Sequence, residues 1–344
     1  MGNPGLYMNI IISLDYELFF GGDSGTVEQC MIVPIEETLK IVNKWNISLS
    51  LFVDAGYLFR LQEYRSKSLY AGSQYDLVAS QLNDLQKYGH DLQLHLHPHW
   101  EDSYLKDNKW TIDTARYKIS DFPVTSIHEI VTRYVEALRS LSNNVMAYRA
   151  GGWCIQPFEH IKNCLKTNKI WLDSTVYLGG RNASSTHSYD FRNSPNETHW
   201  RFNDDPLRKD ESGYFAEIPI SSLRMGPRLY WDLAWFKMLG RKSTIQYGDG
   251  RAIYPPKKFL AQKLLCATYT PVSIDGYKAS LLKEAYLHYK RKYEGRRKEF
   301  FVIMGHPKAL TPYSLGKLDE FLTEQAGQNN FMTYQGVRSI LSGW

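Results

Sequence analysis

The stretch Asp91-Leu92-Gln93-Leu94-His95-Leu96-His97-Pro98-His99-Trp100 carries three histidines at alternate positions. In an extended segment, side chains at i, i+2 and i+4 share one face. Pro98 biases His97 toward extended geometry, so the imidazoles of His95, His97 and His99 lie on one side if the strand persists that far. They form a metal-ligand set once a carboxylate joins them. The alternative is three core histidines, each hydrogen-bonded separately. Other apolar runs end in groups suited to complete such a site: Asp15 with Glu17, Arg149, and His306. A divalent metal lowers the pKa of its water and polarises a carbonyl, a second carboxylate takes the proton, and a separate histidine protonates a leaving amine.

The elements that must position these groups follow from periodicity. Residues 8–15 read as a strand buried on both faces, and in parallel α/β folds catalytic groups gather at the carboxyl ends of such strands. Further strands are expected at 47–53, in the histidine segment, and at 145–148, 169–176, 215–220, 299–304 and 331–334. Helices are expected at 33–45, 75–88, 126–141, 157–165, 230–239, 255–265, 281–293 and 311–326, with Ser126 and Glu129 at capping-box spacing. This alternation predicts a barrel or a doubly wound sheet covered by helices. The stretch 179–216, rich in Asn, Ser, Asp and Arg, is expected to be an insertion or lid over the mouth.

Composition excludes several classes. A net charge of +5, with 36 acidic among 41 basic residues, is too mild for a nucleic-acid module. The one dense basic run, residues 289–298, reads as a solvated helix end, or else as a contact for a membrane surface or a phosphorylated carrier. The apolar stretch at 8–12 is too short for a signal core or a span. Cys30, Cys154, Cys164 and Cys266 have no metal or disulfide spacing, so free thiols and a cytoplasmic location are expected. The 24 tyrosines and nine tryptophans suit a cleft that stacks on sugar rings.

Ser13-Leu14-Asp15-Tyr16-Glu17, Gly89-His90-Asp91 running on to His95-Leu96-His97-Pro98-His99, Tyr148-Arg149-Ala150, Leu172-Asp173-Ser174 and Met304-Gly305-His306-Pro307 together resemble the ordered motifs of the polysaccharide deacetylase family, the NodB homology domain. The resemblance spans roughly residues 8–335. It implies an α/β fold, a distorted (β/α)7 barrel that takes the whole chain, 1–344, as one domain. It also implies metal-dependent hydrolysis of an N-acyl group from a sugar. Carried onto this sequence, His95 and His99 are metal-binding imidazoles, Asp15 the catalytic base, Arg149 the group that orients it, and His306 the general acid.

Two positions depart from the family pattern. Tyr16 stands where a metal-binding aspartate usually follows the base, so Glu17, two residues after Asp15, supplies the carboxylate; alternatively Asp15 itself binds metal. Gly151 stands where proline is usual. His97 is an additional candidate ligand or a hydrogen-bonding support. Zinc is the expected ion. Tyr16, Trp100, Trp153 and Asp173 are assigned to the substrate, with strand capping as the alternative for Asp173. The expected substrate is an acylated sugar, N-acetyl or N-formyl, linked to a nucleotide or a lipid in the biosynthesis of lipopolysaccharide or another surface polysaccharide. Peripheral membrane contact is compatible with it. The rival readings are a metal-independent, allantoinase-like amidohydrolase and a non-catalytic glycan-binding barrel.

Overall fold

The computed structural model describes residues 7–238, 240–253, 264–296 and 298–341. Its centre is a curled sheet whose first strand, β1 (Asn9–Tyr16), is buried at all eight positions, as its apolar run predicts. Around β1 the chain adds β2 (Ser50–Asp54), β3 (Asp91–Leu96), β4 (Ala147–Ala150), β5 (Leu172–Asp173), β6 (Trp200–Phe202), β7 (Phe215–Glu217), β8 (Phe300–Gly305) and β9 (Asn330–Phe331). The order across the sheet is β6-β7-β5-β4-β3-β2-β1-β8, with β9 on β1. The main ring is parallel, and β6 alone pairs antiparallel, with β7. From β1 to β5, strands adjacent in the ring are consecutive along the chain; the exceptions are β7, which pairs with β5 while β6 lies outside it, and the junction of β8 with β1.

Between β7 and β8 the ring is stitched by irregular backbone. Ser221 N–H donates to the Val302 carbonyl at 3.1 Å, and Val302 N–H donates to Ser221 Oγ at 2.9 Å. Residues 272–274 then run alongside: Val272 N–H donates to the Ser221 carbonyl, Met304 N–H to that of Val272, and Ile274 N–H to that of Met304. This is a distorted barrel, the expected fold class. Its outer faces are covered by helices such as Leu69–Lys87, Val124–Arg139 and Pro312–Gln325.

Several local expectations shift. The helix expected from Ser126 begins at Val124 behind Pro123, with no side-chain cap. Proline's fixed φ starts the helix upstream of the Ser126/Glu129 pair. The last strand stops at Phe331, because from Ser13 onward that edge of β1 belongs to β2; Tyr334–Ile340 is a helix instead. The helix expected over 255–265 lies, up to residue 263, outside the described residues. Within 179–216 the chain forms a hairpin, Arg181–Ala183 with Ser188–Asp190, and the edge strand β6. The four cysteines are free.

The seam gives a stability prediction. Ser221→Ala leaves the buried Val302 N–H without its acceptor, and an orphaned buried donor costs about 1–3 kcal/mol. Urea denaturation should show a loss of that size in unfolding free energy.

Candidate active site and metal centre

The carboxyl ends of β1, β3, β4 and β8 meet in one buried cluster. At the end of β1, Asp15 and the next-but-one residue Glu17 point into the barrel, whereas Tyr16 points the other way and its hydroxyl donates to Gln81 Oε1 at 2.9 Å. Strand alternation thus removes the Tyr16 side chain from the site. Arg149 on β4 is 1% exposed and spans the interior to β1. Its Nη1 donates to Asp15 Oδ1 at 2.5 Å, Nη2 to Ser13 Oγ at 3.0 Å, and Nε to the Ser174 carbonyl at 2.9 Å. The guanidinium lies over the Phe52 ring, 4.0 Å from its centroid.

The three histidines divide. β3 ends at Leu96, and Pro98 opens a 3-10 turn over Pro98–Asp102. His97 is still extended, with φ −119° and ψ 92°, so it shares the face of His95, while His99 is turned away. Glu17, His95 and His97 place one donor atom each within 4.8 Å of one another, all three buried. The His95 and His97 Nε2 atoms are 3.0 Å apart, His95 Nε2 lies 3.2 Å from Glu17 Oε2, and His97 Nε2 contacts the same oxygen. His99 instead stacks on Tyr117, with centroids 5.8 Å apart and planes at 9°, and lies 4.8 Å from the Phe20 ring. Burial, followed by the charge of His97, holds its pKa well below the usual imidazole value. The expected His95–His99 pair is therefore revised. The break at Pro98 makes His95 and His97 the converging pair, with Glu17 as the carboxylate.

This donor set fits a divalent cation. His95 Nδ1 lies 3.0 Å from the Arg149 carbonyl, an acceptor-only group, so Nδ1 carries the proton and Nε2 presents its lone pair. Two imidazole lone pairs and a carboxylate oxygen in one buried spot repel one another unless a cation sits among them. His97 Nδ1 is buried without a partner. Gly151 explains how His97 gains its place, since a Cβ there would lie 2.6 Å from the His97 ring. The departure at Gly151 and the additional histidine are thus one adjustment.

On the other side of Asp15 stands His306, at the end of β8. Its Nε2 lies 3.7 Å from both Asp15 Oδ2 and Glu17 Oε1. Its Nδ1 and backbone N–H both bind Asp275, each at 2.8 Å. Burial disfavours the imidazolium, but Asp275, followed by Asp15 and Glu17, outweighs burial and raises the His306 pKa. The His306 side chain is 20% exposed, against 5% for Asp15, 8% for Glu17 and 2% for His95, so His306 is the member that faces the mouth. Lys308 donates to Glu17 Oε1 at 2.9 Å and to the Leu18 carbonyl at 2.5 Å. Burial opposes ionisation of Glu17, yet the Lys308 ammonium holds its pKa well below the carboxylate range.

The residues assigned to substrate are more dispersed. Trp100 is buried, its indole N–H donating to Asp54 Oδ2 at 2.6 Å. Asp173 is buried beside Glu217 and accepts from Thr175 Oγ1 at 2.6 Å. Trp153 is partly exposed and packs on Tyr177 and Tyr189. Sequence reasoning passed over Asp275 and gave Lys308 no role, although Lys308 follows directly on Gly305-His306-Pro307. Asp275 carries no signal of its own, because it reaches His306 only through the seam.

No family model matches the chain, and no curated protein matches it by sequence. Among solved structures, a protein from Mycobacterium smegmatis assigned as a polysaccharide deacetylase aligns with a TM-score of 0.52 at 14% identity, over 100% of this chain and 93% of that one. A family 4 carbohydrate esterase domain of a xylanase from the hindgut metagenome of Trinervitermes trinervoides aligns at 0.41 and 10% identity, over 98% and 92%. A peptidoglycan deacetylase from Bacillus subtilis aligns at 0.38 and 10%, over 99% and 95%.

Two predictions follow from this geometry. Gly151→Ala should weaken divalent-metal binding about 10–100-fold by displacing His97, and His97→Ala should weaken it at least as much. His99→Ala should leave it within a few-fold, as read by metal titration. An acid must be protonated to act, so activity governed by His306 falls as pH rises through its raised pKa; Asp275→Asn should shift that basic limb of the pH–rate profile to lower pH. The curled parallel barrel, with its polar cluster at the carboxyl ends of the strands, gives this chain the fold of the polysaccharide deacetylases.

Proposed function

We propose that this chain hydrolyses the N-acyl group of an acylated amino sugar. The observation that carries the reading is the pairing of Asp15 and His306, 3.7 Å apart and each gripped by its own partner, beside the Glu17/His95/His97 donor set. Those three residues would hold a divalent ion, zinc in the first instance, which when bound supplies Lewis acidity at the acyl carbonyl and a more acidic water. Asp15, oriented by Arg149, accepts the proton of the attacking water. His306, whose pKa is raised by Asp275, donates a proton from Nε2 to the departing amine. An amine is a poor leaving group until protonated, which is why a raised imidazole pKa suits an amide.

For the substrate we propose a sugar on a phosphorylated carrier. A cavity of about 500 Å³ between the 178–196 segment and the helix Leu282–Lys292 is lined by Arg192, Arg224, His288, Arg291 and Lys292, with Glu284 as its acidic member. Such a wall suits phosphoryl oxygens, and part of the 289–298 basic run contributes to it. The 181–190 hairpin supports the lid reading, since His187 rests on Tyr117, with centroids 4.4 Å apart, and Tyr117 packs on His97 and His99.

A metal-independent amidohydrolase has one observation in its favour, the Lys308 ammonium already placed on Glu17. Elemental analysis of the purified protein and of a His95→Ala/His97→Ala variant decides between the two. Near-stoichiometric divalent metal, lost from the variant, is expected, together with amine release from an N-acetylated nucleotide or lipid-linked sugar. His306→Ala should lower kcat by about 10²–10⁴-fold. Metal-free protein with full activity on small amides would overturn the metal assignment.

A further inference from the structure

The helix Arg228–Met238 turns an apolar stripe outward: Trp231 is 59% exposed, Trp235 64% and Met238 78%. At i, i+4 and i+7 these side chains share one face. The helix already buries another face, through Leu229 and Phe236, and the Phe236 ring packs on Tyr277 and Tyr313 with centroids 5.3 and 4.8 Å away. The outward stripe therefore contributes nothing to the core. Just beyond the helix, Ile245 is 57% exposed.

The charges around the stripe are mostly positive. Arg228 stands at the start of the helix, its Nε 3.8 Å from Asp232. Arg241 and Lys242 follow its end, both exposed and without an ion-pair partner among the described residues. Scattered exposed apolar side chains are ordinary. Two tryptophans and a methionine in register, with cations at both ends of the helix, have the make-up of a helix that lies in a lipid interface.

The position of the helix gives that contact a use. Tyr277, under Phe236, is two residues from Asp275, the partner of His306. The segment after the helix docks on the other flank of the acid, with Gly248 N–H on the Lys308 carbonyl and Tyr247 N–H on that of Leu310. The helix and the segment that follows it thus pack against the loops that carry Asp275 and Lys308.

We propose that Trp231, Trp235 and Met238 insert into the surface of an anionic bilayer, with Arg228, Arg241 and Lys242 on its headgroups, so that the mouth faces a lipid-linked substrate. The substrate clause rests on the hydrolase reading; the membrane contact does not. The test is co-sedimentation of the full chain with vesicles of phosphatidylcholine alone and of phosphatidylcholine with phosphatidylglycerol. Binding to the anionic vesicles, weakened by salt, is expected, because exposed charges are screened. Trp231→Ser/Trp235→Ser should weaken binding about tenfold or more, as insertion is driven by buried apolar area, with an unchanged circular dichroism spectrum and Tm. Arg241→Gln/Lys242→Gln should weaken it at low salt and flatten the salt dependence.

Absence of binding to either vesicle would overturn the proposal. So would a wild-type dimer that the tryptophan variant converts to monomer and that anionic vesicles do not compete away, since the stripe would then belong to a second copy. Vesicle binding without amine release from any acyl sugar would defeat the hydrolase reading and leave this one standing. Amine release without vesicle binding would do the reverse.

Discussion

A guanidinium with 1% exposure is stable only if its charge is answered where it lies, and in this protein Asp15 answers it. Arg149 reaches from β4 to β1, and on the way it satisfies Ser13, the Ser174 carbonyl and the Phe52 ring face. The Tyr334 hydroxyl, from the C-terminal helix, closes the group at 3.4 Å from Nη2. The backbone of the same residue receives His95 Nδ1 and so sets the tautomer of one candidate metal ligand. One residue therefore orients Asp15 through its side chain and a candidate ligand through its carbonyl. Removing either charge of the pair strands the other in the interior, and the order of the site would be lost together with the ion pair.

The second constraint is space. Three ring systems, His95, His97 and Tyr117, crowd the floor of the mouth. Room for the middle one exists because Gly151 has no side chain and because Gly56, whose Cβ would meet the His97 carbonyl at 2.8 Å, has none either. The carboxylate is shifted in a matching way. With Tyr16 facing the helices, Glu17 takes the inward position next after Asp15, and Lys308 holds its second oxygen.

Much of this was legible beforehand, and the failures have physical causes. The nearly continuous apolar run of β1 and the polar groups at strand ends implied a barrel or a doubly wound sheet with a site at one rim, the family resemblance implied the barrel, and the structure brings Asp15, Arg149 and His306 together. The His95–His99 pairing was misjudged because a strand period was extended across Pro98, where the backbone changes to a 3-10 turn. Asp275 was invisible because its partnership depends on residues 272–274 threading into the seam beside β8, a pairing with no local pattern. The boundary errors at residues 124 and 331 came from a proline and from competition for a strand edge, neither of which periodicity registers.

The junction of β1 with β8 has a consequence for how the protein is made. Ser13 Oγ bonds the Ile303 carbonyl across a sequence separation of 290 residues, so Asp15 and His306 are neighbours supplied by opposite ends of the chain. During synthesis Asp15 and Arg149 can pair, and Glu17, His95 and His97 can converge, well before His306 has been translated. A chain that folds as it is made would pass through a state that holds these charges and donors but lacks His306. In that state the edge of β1 that β8 will cover is an open and largely apolar strand edge, which is a template for misassociation. Completion of β8 closes that hazard and brings His306 to Asp15 in one event, so the site is completed together with protection from aggregation.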